Sequence, residues 1–305
     1  MRITLRQIEV FAAIARTENV SRAAEALAMS QSAASSALVE LERQFACPLF
    51  DRIGKSLRLN TTGRGLLLQA EDLLARAAEI EGFLAGGQLG PLAVGATMTI
   101  GNYLATLIVA DYLQQHPASR IDLRVANTRH ILDDVLRCEL DIGLIEGEAN
   151  DPDLVLEPWL ADELVVFCAP QHPLAASGSA SSEQLAAQPW ILRESGSGTR
   201  ALFDRAVAPH LATLHVRLQL EHTEAIKRAV EAGLGLACLS RVALREAFRR
   251  GSLIELRTPQ FDLQRNFYFV RHRQRHVSPA SRAFLALCRD FGQALQAAGD
   301  LAIDK

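Results

Sequence analysis

Two short segments of the chain carry residues suited to holding a small anion. In the first, ESGSGTR at 194–200, Gly196 and Gly198 let a ligand approach the backbone, while Ser197 and Thr199 supply hydroxyl groups. The glycines do not have the spacing of a nucleotide-binding P-loop. The segment therefore predicts an anion cradle, with an ordinary glycine-rich loop that caps the next helix as the alternative.

The second segment, TMTIGN at 97–102, follows a predicted strand and begins a predicted helix. Ligands of open α/β sheets collect where strands end and helix N-termini present free N–H groups. Glu146, at another strand end, would repel an anion unless it faces away, and it could equally bind an amino group. His222 could pair with an anionic ligand or cap a helix. The predicted ligand-binding residues are Thr97, Met98, Thr99, Asn102, Thr128, Glu146, Ser197, Gly198, Thr199 and His222.

Catalytic and metal-binding patterns are missing from the sequence. It contains no GxSxG, HExxH or paired-cysteine motif, and GLGLAC at 233–238 lacks the helix and acidic residue of a dinucleotide fingerprint. His272 and His276 lie in RHRQRH, which is interpreted as a basic surface run. The five cysteines are widely spaced and are expected to be small buried hydrophobic residues. We therefore expect no enzyme, no metal site and no cofactor.

These candidate ligand residues need a layered scaffold, and the C-terminal two-thirds of the chain predicts one. Strands alternate with helices there, which is typical of a parallel sheet covered on both faces. The predicted strands are residues 92–96, 121–127, 141–147, 163–170, 189–194, 216–222 and 235–240. The pattern breaks and resumes once, so it indicates two α/β lobes.

The first sixty residues predict a different unit, an all-α winged helix-turn-helix. Apolar residues at helical spacing end near Thr17, Ser21 is the expected cap of a second, alanine-rich helix, and Ser30 is the expected cap of a third. After Pro48 the chain reads as two short strands around Gly54, a hairpin wing. The third helix presents short polar side chains before Glu40, as a major-groove helix does. A plain three-helix bundle with a charged hairpin is the alternative.

Charge and periodicity support DNA binding by an oligomer. Residues 1–65 contain nine basic and six acidic residues, whereas the whole chain carries a net charge of −3. From Thr62 to Leu84, apolar residues recur at alternating steps of four and three, which predicts a helix that pairs with its twin. Packing of that face on its own chain is the alternative. The seam consists of Leu66, Ala70, Leu73, Ala77, Ile80 and Leu84.

The stretch LRQIEVFAAIARTENVSRAAEALAMSQSAASSALVELERQFACPLFDRIGKSLRLNTTG resembles the N-terminal domain of LysR-type transcriptional regulators. The resemblance implies that the third helix enters the major groove and that the wing flanks it. Ser32 stands where the family usually has proline. The expected DNA-binding residues are Gln31, Ser32, Ser35, Ser36, Arg43, Arg52 and Lys55.

The same resemblance implies the domain organisation. It predicts a DNA-binding domain at 1–60, a dimerising linker helix at 61–88 and a two-lobed domain at 91–305 that is similar to periplasmic binding proteins. Lobe I would comprise about 91–162 and 268–305, and lobe II about 163–267. TMTIGNYL at 97–104 resembles a subgroup that includes regulators of sulfur assimilation and carbon fixation genes. That similarity favours an oxyanion such as sulfite or sulfate, a small carboxylate or a phosphate ester.

Together these features predict a homodimeric or homotetrameric transcription regulator. It would bind double-stranded promoter DNA with dyad symmetry and a small anionic effector, with RNA polymerase as a further candidate partner. No segment approaches the ~18 apolar residues of a membrane span, and the N-terminus does not have the pattern of a signal peptide. We therefore expect a soluble, cytoplasmic protein without a membrane partner. The alternative is a solute-binding protein without a regulatory role.

Overall fold

The computed structural model describes residues 2–53, 56–84, 89–211 and 213–297. The N-terminal head consists of three helices and an antiparallel hairpin, as predicted. These elements are α1 (Leu5–Thr17), α2 (Val20–Ala26), α3 (Gln31–Phe45), β1 (Phe50–Ile53) and β2 (Ser56–Leu59). The buried ring of Phe11 packs edge-on against Phe50 at 5.9 Å between centroids, and this contact joins α1 to the wing.

Side-chain caps fix where the helices of the head begin. The hydroxyl of Ser30 accepts from the N–H of Ala33, so the predicted start of α3 is confirmed. The predicted start of α2 is wrong by two residues. Asn19 caps that helix by accepting from two backbone N–H groups, those of Ser21 and Arg22. Asparagine caps as well as serine does, and here it comes first along the chain.

The linker helix α4 (Thr61–Leu84) has 24 residues and is therefore about 36 Å long. Its predicted seam has two parts. Ala70 is buried against the head, whereas Leu73, Ile80 and Leu84 are 43%, 62% and 78% exposed. The first part of the seam thus packs on its own chain, and the second part leaves an apolar stripe open.

Nine strands and eight helices follow among the described residues. The strands are β3 (Leu92–Thr97), β4 (Ile121–Ala126), β5 (Ile142–Glu146), β6 (Leu154–Cys168), β7 (Pro189–Arg193), β8 (His215–Leu220), β9 (Leu236–Ser240), β10 (Ile254–Leu256) and β11 (Gln264–His272). The helices are α5 (Met98–Ile100), α6 (Thr106–Gln115), α7 (Thr128–Leu136), α8 (Ser182–Ala186), α9 (Gly198–Val207), α10 (Thr223–Glu231), α11 (Arg241–Arg250) and α12 (Pro279–Ala297). A π-helical turn (Gly101–Ala105) joins α5 to α6, and Ala175–Ser177 form a 3₁₀ turn.

The strands form one mixed sheet, ordered β4-β3-β5-β11-β6-β9-β7-β8, with β10 paired to β6. The prediction of a purely parallel sheet is wrong, because β11 and β6 run antiparallel to each other and to their neighbours. The predicted strand at 163–170 is the second half of β6. Its first half was missed because Glu157 and Pro158 interrupt the apolar pattern. A bulge at Trp159 of β6, which has no partner on β11, lies beside the proline.

Strands β6 and β11 pass through both lobes and connect them. One lobe has a core around Val94, Leu144 and Phe284, to which the C-terminal helix α12 returns. The other has a core around Trp190 and Phe203. No helix in the described ranges is both long enough and apolar enough to cross a membrane.

Candidate ligand site and nucleic-acid interface

The two predicted anion-binding segments meet at the boundary between the lobes. Thr97 ends β3 and Thr99 lies in the first turn of α5, while Ser197 caps α9 and Thr199 lies in its first turn. All four residues are at most 3% exposed. Glu146, which ends β5 and is 2% exposed, connects the two segments through Thr99 and Thr199.

Glu146 does not face away from the cradle, as an anion site was expected to require. One of its carboxylate oxygens accepts from the backbone N–H of Thr99 at 2.8 Å. The other accepts from the Thr199 hydroxyl at 2.8 Å and from the Arg265 guanidinium at 3.0 Å. The cradle therefore holds a carboxylate that belongs to the protein itself.

Electrostatics keep that carboxylate ionised. Burial alone would raise the pKa of Glu146, but the charges of Arg265 and Arg193 and the hydrogen bonds from Thr99 and Thr199 lower it to about 2. Asp162, on β6, shares Arg265 at 2.7 Å and accepts from Ser240, yet burial prevails there and raises the pKa of Asp162. One guanidinium thus serves two buried carboxylates, and Glu146 has the stronger set of donors.

The buried polar atoms without a hydrogen-bond partner include three in the two lobes. They are the hydroxyls of Thr97 and Thr223 and one terminal nitrogen of Arg265. Thr223 begins α10, in the lobe opposite Thr97. Such atoms are costly to bury without a partner, and a bound ligand is one way to provide it.

The lobes touch on both sides of the buried network. On one side the N–H of Gly198 donates to the Thr128 hydroxyl at 3.2 Å, and the N–H of Arg129 donates to the carbonyl of Gly196 at 3.3 Å. On the other side the Tyr103 hydroxyl donates to Glu224. An open cavity of about 760 Å³ adjoins the first contact. Glu146 and Arg265 also line this cavity, so it extends to the cradle.

The remaining predicted ligand residues lie further out. Met98 is half-buried, and Asn102 and His222 are exposed. The His222 side chain does not cap α10. Sequence reasoning missed Arg265, Asp162 and Thr223. The available signal was the charged residues within the apolar strands around 162 and 265, because a charge is buried only with a partner.

The predicted DNA-binding side chains lie on α3 and the wing. Gln31, Ser35 and Arg52 line one groove of about 710 Å³ together with Arg58. Ser36 is exposed, and the Ser32 hydroxyl hydrogen-bonds to that of Ser30 at 3.0 Å. Arg43 forms a two-pronged ion pair with Glu40 at 2.8 and 3.0 Å. Lys55 lies outside the described residues.

We also searched the structure for a metal site and for reactive cysteines. The described residues contain no cluster of three or more His, Cys, Asp or Glu side chains placed to hold a metal ion. Cys138, Cys168, Cys238 and Cys288 are buried, and burial raises the pKa of each thiol, to about 11 for Cys138 and Cys168. Cys47 is half-buried.

The chain combines a winged helix-turn-helix domain with a two-lobed domain that has a polar cleft. This combination defines a transcription regulator that senses a ligand. Two family models match the chain. Residues 5–64 match the bacterial regulatory helix-turn-helix protein, lysR family, and residues 85–293 match the LysR substrate binding domain. The chain belongs to the LysR family of transcriptional regulators. The alternative of a solute-binding protein without a regulatory role is not favoured.

Curated relatives are similar over nearly the full length. The uncharacterized HTH-type transcriptional regulator YeiE of Escherichia coli K12 is 44% identical over 94% of this chain and 98% of its own. The RuBisCO operon transcriptional regulator of Allochromatium vinosum is 31% identical over 93% and 95%. These names are those of transcription regulators, not of enzymes.

Solved structures share the fold. A full-length OxyR variant from Pseudomonas aeruginosa covers 96% of this chain and 95% of its own, with a TM-score of 0.73 and 24% identity. The regulatory domain of CcmR from Synechocystis PCC6803, solved in complex with 2-PG, covers 67% of this chain and 98% of its own. Its TM-score is 0.63 and its identity is 27%.

Proposed function

We propose that this regulator is controlled by a small anionic effector, a sulfur oxyanion or a small carboxylate, bound between its lobes. The observation that supports the proposal is the Glu146 carboxylate, which is fully buried yet ionised in a cradle of N–H, hydroxyl and guanidinium donors. The same donors are suited to another anion once the Glu146 carboxylate has moved away, because an anion beside the ionised Glu146 would be repelled.

The effector would take over the donors that now serve Glu146. It would also satisfy the atoms of Thr97, Thr223 and Arg265 that have no partner. Because Glu146 is already paired with Arg265, it is poorly placed to bind an amino group, and an anionic ligand is preferred over a cationic one. The CcmR regulatory domain in complex with 2-PG supports the lobed domain as the place where a small molecule binds.

A thermal-shift panel on the full chain tests this proposal. Sulfite, sulfate, phosphate and short carboxylates are compared with ammonium and simple amines. An anion at 100 times its Kd would stabilise the protein by about 2.7 kcal/mol. Thr97→Val and Thr199→Val should abolish that stabilisation and leave DNA affinity intact, whereas Thr106→Val, at an exposed position on α6, should change neither. Stabilisation by amines alone would contradict an anionic effector.

We further propose how the molecule engages DNA. Residues 1–60 contact a dyad-symmetric promoter site through Gln31, Ser32, Ser35, Ser36, Arg43, Arg52 and Lys55, the linker helix at 61–88 dimerises, and residues 91–305 sense the effector. Support comes from the shared groove of Gln31, Ser35 and Arg52 and from the open stripe of Leu73, Ile80 and Leu84. Two heads are needed because a single one makes too few contacts for specific binding. We also propose that dimers of the protein assemble into tetramers and that the DNA-bound protein contacts RNA polymerase.

A further inference from the structure

The segment RHRQRH at 271–276 does not form the free basic surface that its composition predicts. His272 is 4% exposed, and the Arg273 guanidinium donates to the carbonyls of Pro152 and Leu154 at 2.8 and 3.1 Å. Arg275 donates to the carbonyls of Cys138 and Leu140 and pairs with Asp141 at 2.7 Å. The turn is therefore anchored firmly to lobe I.

From this anchored turn, His276 contacts the linker helix. Its backbone N–H donates to the Asp72 carboxylate at 2.7 Å, and its ring Nε2 lies 2.8 Å from the Glu79 carboxylate. Asp72 and Glu79 are seven residues apart and so lie on one face of α4. Each is one residue, about 100° of helix, from Leu73 and Ile80, so the contact leaves the open apolar stripe accessible.

A third acidic residue of α4, Glu71, contacts both the head and the lobed domain. Its carboxylate accepts from Arg16 of α1 at 2.5 Å and lies 4.0 Å from the Arg275 guanidinium. Glu71 is 3% exposed, and its second oxygen has no partner. A cavity of about 540 Å³ lies beside these residues. The junction is thus loosely packed, and polar contacts hold it.

We propose that the basic turn Arg273–His276 and the acidic residues Glu71, Asp72 and Glu79 form an intramolecular clasp. The clasp fixes the linker helix and the DNA-binding head on lobe I of the same chain. It is connected to the ligand site by β11, which carries Arg265 in the cleft and ends at His272, immediately before the clasp. Seven strand residues span roughly 23 Å, so a shift of β11 at the cleft moves the clasp directly.

A charge-swap cycle tests the clasp in the full-length protein. Glu79→Lys and His276→Glu should each break the contact between residues 79 and 276. The double variant should restore it with the two charges exchanged. Glu81→Lys, exposed on the same helix, is the matched control. Hydrogen exchange in the peptide containing His276 should accelerate about tenfold in each single variant and return to within about twofold of wild type in the double. The maximum dimension from solution scattering should increase and return in parallel. Single variants with wild-type exchange, or a double variant that stays open, would overturn the proposal.

The connection to the cleft has its own test. A Cβ on Gly198 would lie 2.0 Å from the Glu146 carbonyl oxygen, so Gly198→Ala must move the lobes apart. Faster exchange at His276 in that variant is the expected result. Unchanged exchange there, with faster exchange at Thr99 showing that the cleft has opened, would refute a link through β11. Neither test involves an effector, so a failed anion panel would not affect this conclusion.

Discussion

At the residue scale, two carboxylates share Arg265 and respond to it in opposite ways. Glu146 accepts three hydrogen bonds at 3.0 Å or less and has a lowered pKa, whereas burial raises the pKa of Asp162. The two groups are buried alike, but Glu146 also lies in the field of a second guanidinium, that of Arg193, and accepts more hydrogen bonds, whereas the charge of Glu146 itself raises the pKa of Asp162. The charge on Glu146 therefore stabilises the fold, and the charge on Asp162 is the less favourable one.

Because of this difference, two matched substitutions should lower the free energy of unfolding by unequal amounts. Glu146→Gln should lower the free energy of unfolding by about 3 kcal/mol at pH 7, since it removes the buried charge that Arg265, Arg193 and the donors of Thr99 and Thr199 stabilise. Asp162→Asn, an equally small change beside the same guanidinium, should cost less than half as much. Urea unfolding of both variants measures the costs, and equal values would contradict this assignment of charge.

The pH dependence follows from the sign of the shift. A carboxyl group with a lowered pKa in the folded state stabilises the protein above its unfolded pKa. The stability difference between wild type and Glu146→Gln should therefore be full near pH 6 and shrink as the pH falls from about 4.5 toward about 2. A difference that stayed constant over this range would argue against an ionised Glu146.

The positions of four polar residues at strand ends and helix starts could be predicted, but their arrangement around Glu146 could not. The strand-end rule found Thr97, Thr99, Ser197 and Thr199 from the sequence. Nothing local showed that Glu146 turns inward, because its orientation depends on Arg265, which lies 119 positions later in the chain.

At the element scale, the wing and α3 form one groove, and Arg52 is its exposed cation on β1. Arg52→Ala should weaken binding to duplex DNA and lower the slope of log K against log salt by about 0.9, the value for one lost phosphate contact. Arg43→Ala should have a smaller effect because Arg43 is paired with Glu40. Fluorescence anisotropy over a salt series measures both.

Arg249→Ala provides the control for net charge. Arg249 lies on α11, exposed and paired with Glu246. This substitution removes the same charge far from the head and should leave the slope unchanged. If all three variants shared one slope, the wing would not contact DNA.

Elements with strong local signals were predicted well. The helices of the head follow from apolar periodicity, and Ser30 marks the start of α3. The strand β6 and the clasp were not predicted, because both depend on pairing between distant segments. Pro158 looks like a strand breaker until the neighbouring bulge in β6 is known, and His276 looks solvated until its contact with α4 is known.

At the scale of the whole molecule, two faces of α4 have different surroundings. Its acidic face holds the effector domain of the same chain, while Leu73, Ile80 and Leu84 remain exposed. An apolar stripe of this kind on a long helix is suited to pairing with a second copy.

Ile80→Glu should therefore dissociate the dimer, because it places a charge in the centre of the pairing stripe. Sedimentation equilibrium should show the apparent dimer dissociation constant rising at least about 100-fold, which corresponds to roughly 2.7 kcal/mol. Glu81→Lys, the neighbouring exposed position, should leave the constant near the wild-type value. A dimer that survives Ile80→Glu would place the pairing surface elsewhere.

The carboxylate inside the cradle also bears on how much effector the regulator needs before it responds. A group tethered to its own binding site competes at an effective concentration that reaches the millimolar range or above for short connections. Glu146 is held on a strand beside its donors, so the proposed anionic effector would have to displace it as well as meet its own cost of binding. With the anionic effector that we propose, such a regulator would ignore trace amounts of the anion and switch only when its concentration has risen.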